Sequence, residues 1–150
     1  MFFDWLNAVG KKIIDEYEWK YDNHVPLVLN EELIIYELHI GDFHDKFKDV
    51  TAKIDYFTQL GVTAGKWNKI DLILRFIVIT LVEIMPIKEF PGNVGWGYTP
   101  RYYMAIESSY GTTAELKEMI DTFHKNGIRV IMDGVYNHVS RFSLSIRDHA

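Results

Sequence analysis

The sequence predicts an α/β fold built on a parallel sheet, and three observations predict it. Apolar runs rich in β-branched residues occupy residues 32–40, 81–87 and 128–132. Between them apolar residues fall at helical spacing. At or just past the C-terminal ends of the runs stand polar residues: His39 and Asp42 at the first, Asp133, Asn137 and His138 after the third. Two parallel architectures compete. A dinucleotide-binding fold needs a glycine-rich turn directly after its first strand. Here that turn holds only Gly41, and "GNVGWG" has the wrong spacing and place. An eight-stranded βα barrel puts its working residues at the C-terminal ends of its strands. The chain is therefore expected to be an incomplete (β/α)8 barrel with about strands 1 to 3.

The elements follow in order. Residues 1–31 are mixed in character, with "EYEWKYDNHVP" reading as loop, and form an approach segment. The barrel part is expected over residues 32–150. "ELIIYELHI" suits a strand buried on both faces. "GDFHDKFKD" reads as a loop opened by Gly41. A helix is expected over 49–60, with Val50, Ile54, Phe57 and Leu60 on one side, Asp49 as its cap and Gly61 as its end. "LVEIMPI" is the second strand, closed by the aromatic loop "KEFPGNVGWGYTPRYY". In the next helix Thr112 and Glu115 form a T-x-x-E capping box, and Leu116, Met119, Ile120 and Phe123 repeat at i, i+3, i+4 and i+7. Asn126-Gly127 ends it, and 128–132 is the third strand.

Composition narrows the function. A net charge of −5 argues against nucleic acid or an anionic membrane as partner. The apolar stretch 70–87 contains Asp71, Arg75, Glu83 and Pro86, which argues against a membrane span. The absence of cysteine excludes disulfides, thiolate metal sites and cysteine nucleophiles, and fits a reducing compartment. "MFFDWLNAVGKK" lacks a basic leader region, so a cytoplasmic location is expected. Aromatic residues make up 15% of the chain; most belong to a core, and exposed ones can stack on flat ligand faces.

Two stretches carry candidate chemistry. In "DGVYNH" the acid Asp133 can hold neighbouring groups, His138 can donate to a substrate hydroxyl, and Asn137 offers a neutral oxygen suited to calcium. The plain alternative is a turn in which Asp133 and Asn137 bond local backbone. In "NVGWGYTPRYY", Gly95 and Gly97 allow close backbone approach, while Trp96, Tyr98, Tyr102 and Tyr103 offer faces that pair with sugar rings. The plain alternative is an aromatic cluster that packs the loop. His24, His44, His124 and His149 lack metal spacing and read as surface or satisfied residues.

Together these residues resemble the alpha-amylase superfamily of glycoside hydrolases (glycoside hydrolase family 13). "DGVYNH" resembles its first signature region, "IYELHIGDF" its first barrel strand, and "VEIMPIKEFPGNVGWGYTPRYY" its second strand and following loop. "SSYGTTAELKEMIDTFHKNGIRVIMDGVYNH" resembles its second helix and third strand. The resemblance implies a barrel that hydrolyses or transfers α-1,4 or α-1,6 bonds of glucans such as starch or glycogen. It implies that Tyr98 stacks on the sugar at the cleaved bond, that His138 hydrogen-bonds that sugar, and that Asp133 supports the site. Trp96 stands beside them as a further substrate-binding candidate. Asn137 matches a calcium ligand of many members, whereas others lack the ion. The loop also resembles branching, debranching and trehalose-releasing members, so reaction type stays open.

The pattern departs from the family twice. Retention needs a nucleophile and a general acid/base, and the family carries these carboxylates after its fourth and fifth strands. No catalytic residue is therefore expected here, and the isolated chain is expected to be inactive and poorly stable. A non-catalytic carbohydrate-binding or interaction protein on the same fold is the alternative; a G-x-R-x-D motif after a fourth strand would favour the enzyme. Secondly, residues 65–81, "GKWNKIDLILRFIVITL", stand between "LGVTA" and "VEIMPI", which the family runs together. Gly-Lys-Trp is encodable with GTAAGT and Leu81-Val82 with TAG, so a short retained intron of a eukaryotic gene is expected. An inserted lid or a genuine apolar insertion are the alternatives.

Overall fold

A computed structural model describes residues 17–25, 27, 29–60, 80–92 and 94–140. After a 3-10 turn at Asn30–Glu32 comes strand β1, Ile35–Leu38. Three short helices follow: α1, Ile40–His44; α2, Phe47–Thr51; and α3, Ile54–Gln59. Strand β2 is Leu81–Ile84, and a small hairpin pairs β3, Lys88–Glu89, with β4, Tyr102–Ile106. Helix α4, Thr113–Lys125, leads to β5, Arg129–Met132.

The strands β1, β2 and β5 form one parallel sheet in that order. Neighbours in space follow chain order, with helices as crossovers, which is how a βα barrel begins. The chain is an incomplete (β/α)8 barrel carrying its first three strands. Alternation along the strands separates two faces. Leu38, Val82 and Ile84 point into the core, where Phe47, Val50, Phe57, Met119 and Phe123 from the helices meet them. The rings of Phe57 and Phe123 lie edge to face with centroids 5.0 Å apart. The opposite face presents Ile35, Glu37 and Ile131 to solvent.

Helix α4 forms as the sequence predicts. The Thr112 hydroxyl accepts from Glu115 N–H at 3.2 Å, and the Glu115 carboxylate accepts from Thr112 N–H at 2.7 Å. The Thr112 N–H and the Thr112 hydroxyl, which also donates to the carboxylate at 3.0 Å, hold the Glu115 carboxyl below the usual carboxylate range. Leu116, Met119 and Phe123 line the buried stripe, and Gly127 ends the helix at a φ of 75°.

Three expectations need correction. The segment expected as loop after Gly41 is helical. Ile40, Phe43, Phe47 and Val50 recur every three to four residues and turn one stripe to the core, while the charged residues between them face water. The helix expected over 49–60 is two helices. Asp49 lies within the first turn of α2 and does not cap it. The Thr51 hydroxyl donates back to the Phe47 carbonyl at 2.9 Å, a bond that bends helices, and Lys53 N–H takes the Val50 carbonyl three residues back. The aromatic loop, finally, contains the β3–β4 hairpin. The buried Glu107 carboxylate stabilises it by accepting from Phe90 N–H at 3.2 Å and Ser109 N–H at 3.0 Å.

Most of the stretch 65–81 lies outside the described residues, as does Gly61. Its last residue, Leu81, opens β2, and Thr80 bonds the end of the approach to β1. Leu81 pairs with Ile35 and Arg129, and the Thr80 hydroxyl accepts from Ile34 N–H at 3.0 Å. Upstream, the buried Asp121 of α4 accepts from Tyr21 N–H at 2.9 Å and Lys20 N–H at 3.3 Å, which seats residues 17–24 on the helix. His24 and His44 are exposed as expected, and His149 lies outside the described residues. His124 departs from expectation: its Nδ1 is buried without a partner among the described residues, and burial pushes the ring towards its neutral form. Among the described residues no helix is long and apolar enough to cross a membrane.

Candidate functional site

The site lies where β2 and β5 end. Past Met132 the chain leaves the sheet with Asp133, whose backbone N–H still bonds Ile84 O at 2.8 Å. That bond fixes the carboxylate at the mouth of the sheet. Past β2, Pro86 and Gly97 pack so closely that a side chain at 97 would run into the Pro86 carbonyl oxygen, and Gly97 has a φ of 81°. Only glycine fits such a position easily. This close approach turns the loop back and brings Tyr98 over Asp133.

The Tyr98 hydroxyl donates to Asp133 Oδ2 at 2.6 Å, across 35 positions of sequence. Asp133 Oδ1 accepts from Gly134 N–H at 2.6 Å. Each carboxylate oxygen thus accepts a hydrogen bond. The bond to Asp133 is the largest cause that pushes the Tyr98 phenol up to about 12; burial and the charges of Asp133, Glu37 and Glu83 add to it. Tyr98 therefore stays neutral across the physiological range.

His138 completes the cluster. Its Nε2 lies 3.0 Å from the Tyr98 carbonyl oxygen, and its own carbonyl accepts from the Tyr103 hydroxyl at 2.8 Å. Nε2 thus bonds backbone, and Nδ1 is the ring nitrogen left to meet a ligand. Trp96, two residues before Tyr98, is 64% exposed and offers its indole to solvent. Asn137 is exposed, and among the described residues its amide has no partner. No group of three or more His, Cys, Asp or Glu that could hold a metal occurs among the described residues. Calcium takes about six to eight oxygens, and Asn137 offers one, so these residues alone do not make a calcium site.

The structure therefore brings Asp133 and His138 each into contact with Tyr98, with Trp96 on the same loop and Asn137 beside His138. Other neighbours were not singled out as site residues by sequence pattern. Tyr136 stacks on Tyr103 with centroids 6.0 Å apart, and Lys88 Nζ bonds the Tyr136 hydroxyl at 2.7 Å. Glu37 and Glu83 are register partners on β1 and β2 and bear on Tyr98. An acid alternating with buried apolar residues in each strand was the available signal for that pair.

The fold has counterparts among known proteins. Residues 39–148 match the family model of the alpha amylase catalytic domain. A malto-oligosyltrehalose trehalohydrolase from Saccharolobus solfataricus is 40% identical over 136 residues, covering 89% of this chain and 21% of that protein. A 1,4-alpha-glucan branching enzyme from Clostridium perfringens is 36% identical over 104 residues, 69% of this chain and 14% of that protein. Among solved structures, a Salmonella typhimurium protein described as of alpha-amylase kind superposes with a TM-score of 0.67 at 30% identity, covering 86% of this chain and 19% of that one. The chain spans between 14% and 21% of the length of these curated relatives.

Proposed function

Because the chain belongs to the alpha-amylase catalytic-domain family, we propose that it forms the sugar-binding wall of an α-glucan-acting barrel that hydrolyses or transfers glucosyl bonds. The observation that carries this reading is the Tyr98–Asp133–His138 cluster at the C-terminal ends of the strands, the end where βα barrels bind substrate. Support for an α-glucan comes from relatives named as a trehalohydrolase, a branching enzyme and a pullulanase.

In this reading Asp133 fixes the Tyr98 ring as a rigid neutral platform for a pyranose. Trp96 offers a second, exposed aromatic face. His138 hydrogen-bonds a sugar hydroxyl through Nδ1. Asn137 would lend one neutral oxygen to a calcium ion, and no step depends on that ion. The wall binds and does not cut, because retaining cleavage needs two carboxylates roughly 5 Å apart and Asp133 is committed to Tyr98 and Gly134. The reading includes a cytoplasmic site of action, which the lack of cysteine supports.

Calorimetric titration tests this. Maltoheptaose should bind the chain measurably and more tightly than a β-linked cello-oligosaccharide, Trp96→Ala should weaken it, and no reducing sugar should appear. Equal affinity for the two sugars would refute the α-glucan reading, and released reducing ends would refute the division between wall and cutting residues.

A further inference from the structure

We infer that His39 is a positioning residue for the sugar-facing loop: its ring holds the Gly95 backbone and so sets where Trp96 and Tyr98 stand. The inference deepens the glucan reading and rests on it for the identity of the ligand, but not for the geometry. His39 directly follows β1, and its side chain is 10% exposed. Nδ1 accepts from Asp42 N–H at 3.0 Å, as the cap of α1. Nδ1 also lies 3.2 Å from the Asp42 carboxylate, so the other ring nitrogen decides where the proton sits. Nε2 lies 3.1 Å from the Gly95 carbonyl oxygen, 56 positions away, and 3.0 Å from the Tyr110 hydroxyl. A carbonyl oxygen only accepts, so the bond to Gly95 requires a proton on Nε2.

The surroundings hold the ring in place. Tyr110 is 4% exposed and stands edge to face with Phe47 and Phe90 in the core. A side chain at Gly41 would come within 3.2 Å of Tyr110 and 3.3 Å of His39, so the turn under the ring is tight. The loop is thus gripped at two points. His39 holds Gly95 at one end, and Asp133 and His138 hold Tyr98 at the other. Trp96 stands between the two grips.

The two ring nitrogens do different work, and substitution separates them. His39→Asn keeps an acceptor near Nδ1 and remains a good helix cap, but does not reach Gly95. His39→Gln puts a donor near Nε2. His39→Ala removes both. Each variant of the 150-residue chain is measured for melting temperature, for backbone NMR order parameters over residues 94–98, and for maltoheptaose affinity. The Asn variant keeps the cap but loses the Nε2 contacts to Gly95 and Tyr110, so it should melt above the Ala variant and about 2–4 °C below the parent. Its order parameters at 94–98 should fall from about 0.85 to below about 0.6, and its affinity about three- to tenfold. The Gln variant should restore both. A purely structural cap predicts the reverse, with Asn harmless and Gln damaging. Asn with parental order and affinity overturns the proposal. If the parent chain binds no maltoheptaose, the glucan reading fails, and the order parameters still decide the role of His39. If the Ala variant does not fold, the Asn and Gln variants decide it.

Discussion

Replacing Tyr98 by Phe keeps the aromatic face and removes one bond, the 2.6 Å contact to Asp133 Oδ2. A hydrogen bond to a charged group contributes about 1.5–3 kcal/mol when buried. Tyr98 is only partly buried, and solvent screening brings the expected loss to about 1 kcal/mol. For a chain of this size that lowers melting by about 2–4 °C. A second readout is specific to the bond. The phenol is pushed from its ordinary value of 10.0 up to about 12, so folding favours the neutral form. The bond's stabilisation is fully present below pH 10 and is lost as pH rises through about 12. In absorbance titration of the folded chain, Tyr98→Phe should remove a tyrosine that ionises near 12; Tyr110, also raised to about 12, chiefly by burial, remains. If the missing tyrosine instead ionises near 10 and melting is unchanged, Asp133 does not hold Tyr98 and the site's assembly is misread.

Other perturbations probe separate contacts. Gly97→Ala places a methyl against the Pro86 carbonyl at a φ of 81°; about 1–3 kcal/mol of stability and most maltoheptaose affinity should be lost, and parental melting would show that the loop does not seat on Pro86. Asp121→Ala leaves the Lys20 and Tyr21 N–H groups without their acceptor, which should cost about 1–3 kcal/mol and raise hydrogen exchange at those two amides; unchanged exchange would detach residues 17–24 from α4. Deleting residues 65–81 joins Ala64 to Val82 and moves Thr63 into the place of Thr80, whose hydroxyl accepts from Ile34 N–H. The shortened chain should stay folded and soluble; loss of cooperative melting would show that the deleted stretch is required.

How much of this was legible beforehand depends on the range over which each pattern acts. The order of strands and helices, the capping box at Thr112 and the polar exit of β5 are written within a few neighbouring residues, where periodicity and turn chemistry operate. The short helices α1 and α2 were misread for a similarly local reason: charged residues on their wet side masked the apolar stripe of Ile40, Phe43, Phe47 and Val50. The resemblance to a family located Tyr98, Asp133 and His138 but not how they meet. That they join across 35 and 40 positions, that His39 reaches Gly95 across 56, and that Asp121 captures Lys20 and Tyr21 follow from parallel register and loop closure. By itself the sequence determined the parallel sheet, helix α4 and the chemistry available at the strand ends. Only the tertiary structure decided which groups share a bond, because hydrogen bonds act over about 3 Å and no local pattern encodes which distant strand will stand that close.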